Sequence, residues 1–262
     1  MDWREKNNGS TITKHSWNVW AESGNFQFLV MILGMSRSPR GRFVTFEGLD
    51  GCGKSTQLEK LGVVLRDLGI SVVTTREPGG TATGEKIRSV LLDSGTSGLS
   101  PYAELALMFA SRAQHIREVI QPALAAGSVV LCDRFTDSSE AYQGGGRKLG
   151  SEPVLDLHRV LCGNLQPDLT ILMDSEVAAS VERARRRNKA KVSENGGGQS
   201  DENRFEQESR AFFGRVRNAY LAIAEREPKR VAVVDARGAA EQTHTKILEI
   251  VRQNLKLSAK IA

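Results

Sequence analysis

At 262 residues, 40% of them hydrophobic and 26% charged, the chain is long enough for one large domain or two small ones, and it can bury a full core without disulfides or structural metals. Three scattered cysteines and four scattered histidines offer neither a disulfide framework nor metal-ligand spacing, and no apolar run reaches the roughly 18–20 residues of a membrane span. The net charge of +5 suits a small anionic ligand and does not call for nucleic acid.

The first 41 residues hold all three tryptophans, Trp3, Trp17 and Trp20, and show no sustained helical period. Their apolar run, Phe26 to Leu33, is too short for a membrane span and has no small-residue cleavage site directly after it. They read as an N-terminal extension. Met35 lies just before the orderly pattern that opens at Arg42, and translation is expected to start there; the alternative is an appendage that docks on the domain or on a partner.

From Arg42 onward, β-branched and apolar runs alternate with helical patterns, the signature of parallel βα units. The strand runs are Arg42–Glu47, Ser71–Thr75, Ser128–Cys132, Leu169–Met173 and Arg230–Val234. Helical patterns fall near 54–68, 82–93, 101–126, 152–162, 176–187, 202–226 and 240–255. Short strands with long crossovers predict an α/β fold, a five-stranded parallel sheet with helices on both faces. The polar, glycine-rich stretch from Asn188 to Ser200 predicts a surface loop.

After the first strand comes Gly48-Leu49-Asp50-Gly51-Cys52-Gly53-Lys54-Ser55, a full G-x-x-x-x-G-K-S pattern that opens a helix. The strand–loop–helix context is the one this pattern requires. Its glycines let backbone N–H groups converge on phosphate oxygens, helped by the positive end of the helix. Lys54 reaches the outer phosphates and Ser55 offers a hydroxyl to Mg²⁺. The segment predicts a nucleoside triphosphate site.

Two further strand ends carry charge: Arg76-Glu77-Pro78-Gly79-Gly80-Thr81 and Asp133-Arg134-Phe135. Ligands of open parallel sheets bind beyond the carboxyl ends of the strands, so these charged pairs fall where a second substrate lies.

With Phe46 to Thr56, the run Arg76 to Thr81, Asp133 to Phe135 and Ala141-Tyr-Gln-Gly-Gly145, the chain from Arg42 to its C-terminus resembles the bacterial thymidylate kinases. The resemblance implies the P-loop nucleoside-monophosphate kinase fold, ATP as phosphoryl donor with Mg²⁺, dTMP as acceptor, a homodimer and a cytoplasmic setting. It further implies that Arg76, Arg112 and Arg134 bind or orient the dTMP phosphate with Arg88 nearby, and that Glu77 lies beside the substrate. Asp50 falls near the sugar hydroxyl and the metal, Asp133 acts on Mg²⁺, and Ser139, Tyr142 and Gln143 face base and sugar. The family commonly has Phe or Tyr over the thymine, four residues before Arg112; here that position is Met108, with Phe109 beside it. The family's Asp-Arg-Phe-Glu appears as Asn203-Arg204-Phe205-Glu206.

Some members place an arginine in the phosphate loop and others supply it from a lid. Positions 49–52 hold no basic residue, whereas Arg183, Arg185, Arg186, Arg187, Lys189 and Lys191 crowd one stretch. The spread of charge over a transferring phosphoryl group needs a cation, which assigns the chain to the lid-arginine subclass, with a lid at about 183–206 and Arg183, Arg185 or Arg187 as donor. The other readings are a kinase of another monophosphate or a nucleoside, and an ATP-hydrolysing or ATP-sensing regulator. The regulator needs no second anionic pocket.

Overall fold

A computed structural model describes residues 40–96, 98–194, 204–205 and 207–255, without the side chains of 188–194 and 255. The extension, apart from Arg40 and Gly41, lies outside the described residues, as do 195–203 and Glu206 of the lid tract.

β1 (Phe43–Glu47) is buried along its whole length, as expected of a strand covered on both faces. β2 (Val72–Arg76), β3 (Val129–Asp133), β4 (Leu169–Asp174) and β5 (Val231–Asp235) complete a parallel sheet in the order β2-β3-β1-β4-β5. The hydrogen-bonded ladder carries β2 to β5 one residue past the apolar runs, onto Arg76, Asp133, Asp174 and Asp235. Arg76 pairs in register with Asp133, and Asp174 with Asp235. Apolar patterning stops where burial stops, but backbone pairing does not. Each of these strands therefore ends on a charge at the carboxyl edge.

Period-two alternation sorts the two faces. Val44 and Phe46 pack with Leu58, Leu61 and Leu65 of α1 (Lys54–Asp67) and with Ile247 and Val251 of the C-terminal helix Ala240–Leu255. On the other face Phe43 joins Leu105 and Phe109 of α3 (Pro101–His115) and Val154 of α5 (Glu152–Cys162). α2 (Ala82–Leu92) precedes α3. α3 continues through a π turn (Ile116–Ile120) into Gln121–Ala125, as the 101–126 pattern predicts. β1 lies between β3 and β4, so the chain switches side there, and its carboxyl end is a ligand crevice by topology.

Two expectations need correction, and one helical segment lies outside the patterns read from the sequence. The helix read at 176–187 is α6 (Val177–Glu194), so residues 188–194 of the supposed loop are helical; Lys189, Ala190 and Lys191 are good helix formers, and no glycine intervenes before Gly196. The helix read from 202 starts later, as α7 (Arg210–Arg226), because Ser209 accepts the Phe212 N–H and caps it. The segment after Phe135 is helical although its glycines argue against it: α4 (Thr136–Ser139) runs into a π turn at Glu140–Gly146. α7 packs directly on that turn. A Cβ on Gly145 would sit 2.6 Å from Ala219 Cβ, and one on Gly146 would meet the Phe212 ring. The glycines permit contact rather than break the helix.

Candidate functional site

The loop from Gly48 to Gly53 links β1 to α1. Gly48 (φ +130°) has no room for a side chain, since a Cβ there would fall 2.5 Å from the Met173 carbonyl oxygen. Gly53 precedes α1 in the left-handed region, and no side chain caps this helix. By contrast α2, α3 and α7 are closed by Thr81, Ser100 and Ser209. The N-terminal amides of α1 are left to an anion. Lys54 is buried, its Nζ donating to the carbonyls of Gly48 (3.1 Å) and Leu49 (2.9 Å), with Cys52 Sγ at 3.9 Å. Leu49 and Cys52 face the core.

Beyond the loop opens a cleft of about 800 Å³, lined among others by Asp50, Gly51, Lys54, Ser55, Thr56, Arg76, Glu77, Arg88, Asp133, Arg134 and Arg187. Ser55 Oγ donates to Asp133 Oδ2 at 2.7 Å. These are hard oxygen donors at the foot of a phosphate loop, the chemistry Mg²⁺ takes when substrate phosphates and water complete its shell.

The charged neighbours in sequence do not pair with each other. Successive residues at a strand end diverge, so Arg76 bonds Glu85 (2.9 Å) rather than Glu77, and Arg134 bonds Asp50 (2.8 Å) rather than Asp133. Arg134 is held at φ +72°. Its guanidinium also donates to Ser138 (3.0 Å), Tyr220 (3.1 Å) and Tyr142 (3.1 Å) and lies over the Tyr142 ring. Ser138 and Tyr220 in turn donate to Glu47 (2.5 and 2.9 Å), which also accepts the Phe135 N–H. Burial and the nearby Asp137 charge raise the Glu47 carboxyl to about 7 against opposing hydrogen bonds from Ser138 and Phe135 and the Arg134 charge. Burial would raise Asp50 too, but Arg134 and Lys54 outweigh it and hold its carboxyl well below the usual range.

Arg112 does not line the cleft. It is buried beneath it, Nε to Glu77 (2.6 Å), Nη2 to Phe135 O (3.0 Å) and Ser139 Oγ (2.9 Å), stacked on Phe109 and Phe135. The other Glu77 oxygen contacts His115 (2.9 Å), whose far nitrogen meets Thr75. Both oxygens of Glu77 are therefore engaged within the protein. Arg112 Nη1 and Gln143 Oε1 are buried with no partner among the described residues. Met108 lies half-buried on α3, one turn before Arg112. Arg88 Nη1 donates to Pro78 O (3.1 Å). Of the three lid arginines, Arg183 holds Gly51 O (2.7 Å), Arg185 reaches toward Glu208 O, and Arg187 lines the cleft.

Sequence reading missed Glu47, Ser138 and Tyr220. Glu47 could have been noticed as a carboxylate ending an otherwise apolar strand beside the loop; Tyr220, 86 residues from Arg134, gives no local signal.

The Thymidylate kinase family model matches residues 46–247. The thymidylate kinase of Pelobacter propionicus is 50% identical over 214 residues, 82% of this chain and 95% of that protein. The one from Geobacter sulfurreducens is 46% identical over 80% of this chain and 96% of its own. The crystal structure of thymidylate kinase from Ehrlichia chaffeensis superposes with a TM-score of 0.63 at 30% identity, covering 82% of this chain and 99% of that one.

Proposed function

The chain belongs to the thymidylate kinase family, and from that premise we propose that it carries the γ-phosphoryl group of ATP to dTMP, with Mg²⁺, in the cleft at the carboxyl edge of its sheet. The observation that carries the mechanism is the meeting of two phosphate-binding sets in one cleft: the loop with Lys54 and Ser55, and the arginines Arg76, Arg88 and Arg134.

The attacking phosphate of dTMP is already largely dianionic at neutral pH, its second pKa being about 6, so no general base is needed. The obstacle is the approach of two anions. Loop amides and Lys54 hold the donor, and Arg134 faces the acceptor phosphate with Arg76 and Arg88 beside it. Bracing by Asp50, Tyr142, Ser138 and Tyr220 fixes Arg134 before substrate arrives, so little reorganisation remains for the transition state. Ser55 and Asp133 would hold Mg²⁺, which when bound neutralises charge on the donor phosphates. Arg187, the lid arginine that lines the cleft, supplies the further cation.

The buried set behind the cleft reads the base. Arg112 Nη1 is a donor and Gln143 Oε1 an acceptor, matching the carbonyl and N3–H of thymine, with Met108 as the apolar surface. This moves Arg112 from the phosphate to the base. Residues 42–262 form the catalytic domain in this reading, with a lid at about 183–206, acting as a homodimer in the cytoplasm. Among the described residues no helix is long and apolar enough to cross a membrane.

The test is ADP release with ATP, Mg²⁺ and each nucleoside monophosphate in turn. Preference for dTMP supports the reading. ATP loss without an acceptor, or preference for another monophosphate, overturns it.

A further inference from the structure

Glu104 sits in the first turn of α3, fully buried, outside the residues lining the cleft. It accepts from Gln143 Nε2 at 2.8 Å, from Arg147 Nη2 at 3.0 Å and from Arg204 Nη1 at 2.8 Å. Arg204 is pinned in turn by Leu91 O and stacks on Phe205, while Arg147 stacks on Phe212 and pairs with Glu208.

A primary amide has a donor end and an acceptor end of nearly equal shape, and its neighbours decide which end points where. Here the Glu104 carboxyl oxygen accepts from Nε2, which turns Oε1 of Gln143 the other way. That oxygen is buried with no partner among the described residues. Glu104, Met108 and Arg112 recur every four residues and share one face of α3. Opposite them stand Ser139 and Gln143, also four apart, paired as Arg112 with Ser139 and Glu104 with Gln143. Met108 lies between an orphaned donor at one end and an orphaned acceptor at the other.

We propose that Glu104 is a positioning residue for base discrimination: by holding Gln143 Nε2 it presents Oε1 to the N3–H of thymine or uracil and rejects cytosine, whose N3 is an acceptor. The inference rests on the reading of the chain as a dTMP kinase. Arg147 and Arg204 hold the carboxylate in place from its other sides. A glutamine at 104 removes the constraint, because its own amide can donate to Gln143 Oε1 and cap the acceptor.

The test compares wild type, Glu104→Gln and Gln143→Met as full-length enzymes, with dTMP, dUMP and dCMP as acceptors. In both variants the kcat/KM ratio of dTMP to dCMP should fall by about tenfold or more. The dTMP to dUMP ratio and the KM for ATP should stay within about twofold, since neither involves the N3 contact. A dTMP to dCMP ratio unchanged in Glu104→Gln, or a uniform loss for all acceptors and ATP, overturns the proposal. An inactive wild type overturns the functional reading instead. If Glu104→Gln does not fold, a crystal structure of wild type with dTMP decides. Gln143 Oε1 should lie within about 3.2 Å of N3 with Nε2 still on Glu104; an amide turned away from Glu104, or N3 served by another group, refutes it.

Discussion

Ser55 Oγ donates a 2.7 Å hydrogen bond to Oδ2 of Asp133, tying the first turn of α1 to the carboxyl end of β3. Two segments 78 residues apart thereby bring a hydroxyl and a carboxylate to the foot of the phosphate loop. Asp133→Asn keeps the size and an acceptor but removes the charge. Turnover should fall by about 100-fold or more, and the Mg²⁺ concentration for half-maximal activity should rise. The check is a rate titration against Mg²⁺; an unmoved titration curve would remove Asp133 from the metal site.

Lys54 touches the rest of the protein through the carbonyls of its own loop, Gly48 and Leu49, and the nearby Cys52 sulfur. Lys54→Ala should therefore leave the melting temperature nearly unchanged while turnover drops by about 1,000-fold or more. Circular dichroism melting and a coupled ADP assay measure both. Retention of more than about a tenth of the wild-type rate is incompatible with a lysine that serves the transferred phosphoryl group.

Among the lid arginines, Arg187 shares the cleft with Asp50 and Arg134, whereas Arg183 is engaged with Gly51 and Arg185 points toward Glu208. Arg187→Ala should lower kcat by about 100- to 1,000-fold with little change in KM for dTMP, the mark of a cation acting in the transition state. Equal kcat losses in all three alanine variants would spread the role over the lid.

The sheet was legible because its signals are local. Apolar runs such as Val129–Cys132 with long crossovers between them dictate a parallel sheet, and Gly48–Ser55 announces its own strand–loop–helix geometry. The partners of the charged residues were not legible. Arg76 and Glu77 are neighbours in sequence, yet their partners are Glu85 for the one and Arg112 with His115 for the other, a choice made by strand pleat and helix packing. The π turn at Glu140–Gly146 was hidden for a related reason. Gly144, Gly145 and Gly146 signal a break by local propensity, and only the approach of the Gly150 carbonyl, Ala219 and Phe212 explains them.

Arg112 and Glu77 form an ion pair that is almost wholly shielded from solvent. Removing Arg112 leaves Glu77 buried with its His115 contact alone and one oxygen unserved, so Arg112→Ala should lose about 3–5 kcal/mol of stability. At temperatures where the variant remains folded, dTMP affinity should fall by about 10- to 150-fold while ATP affinity holds. Urea unfolding and calorimetric titration with each nucleotide separate the two effects. Equal losses for both nucleotides would show that Arg112 supports the cleft as a whole and does not contact the base.

Glu47 gives the protein a pH dependence of definite sign. Burial and the Asp137 charge lift its carboxyl from 4.5 to about 7 in the folded chain. Between those values the folded protein holds a proton that the unfolded chain has released. The stability contributed by this group is thus fully present below 4.5, falls as pH rises through 7, and is level above. The slope from one proton is at most about 1.4 kcal/mol per pH unit. Glu47→Gln removes the titration and mimics the protonated carboxyl: its amide oxygen can still accept from the Phe135 N–H, and its amide nitrogen donates toward the Ser138 and Tyr220 hydroxyls where the carboxylate accepts from them. The stability of wild type relative to Glu47→Gln should therefore decline from pH 4.5 to 7 and stay constant at higher pH. Urea unfolding of both proteins across that range measures the difference directly. A difference that stays flat, or that grows with pH, would mean that Glu47 is ionised in the folded protein and that the hydroxyls bracing Arg134 donate to a charge.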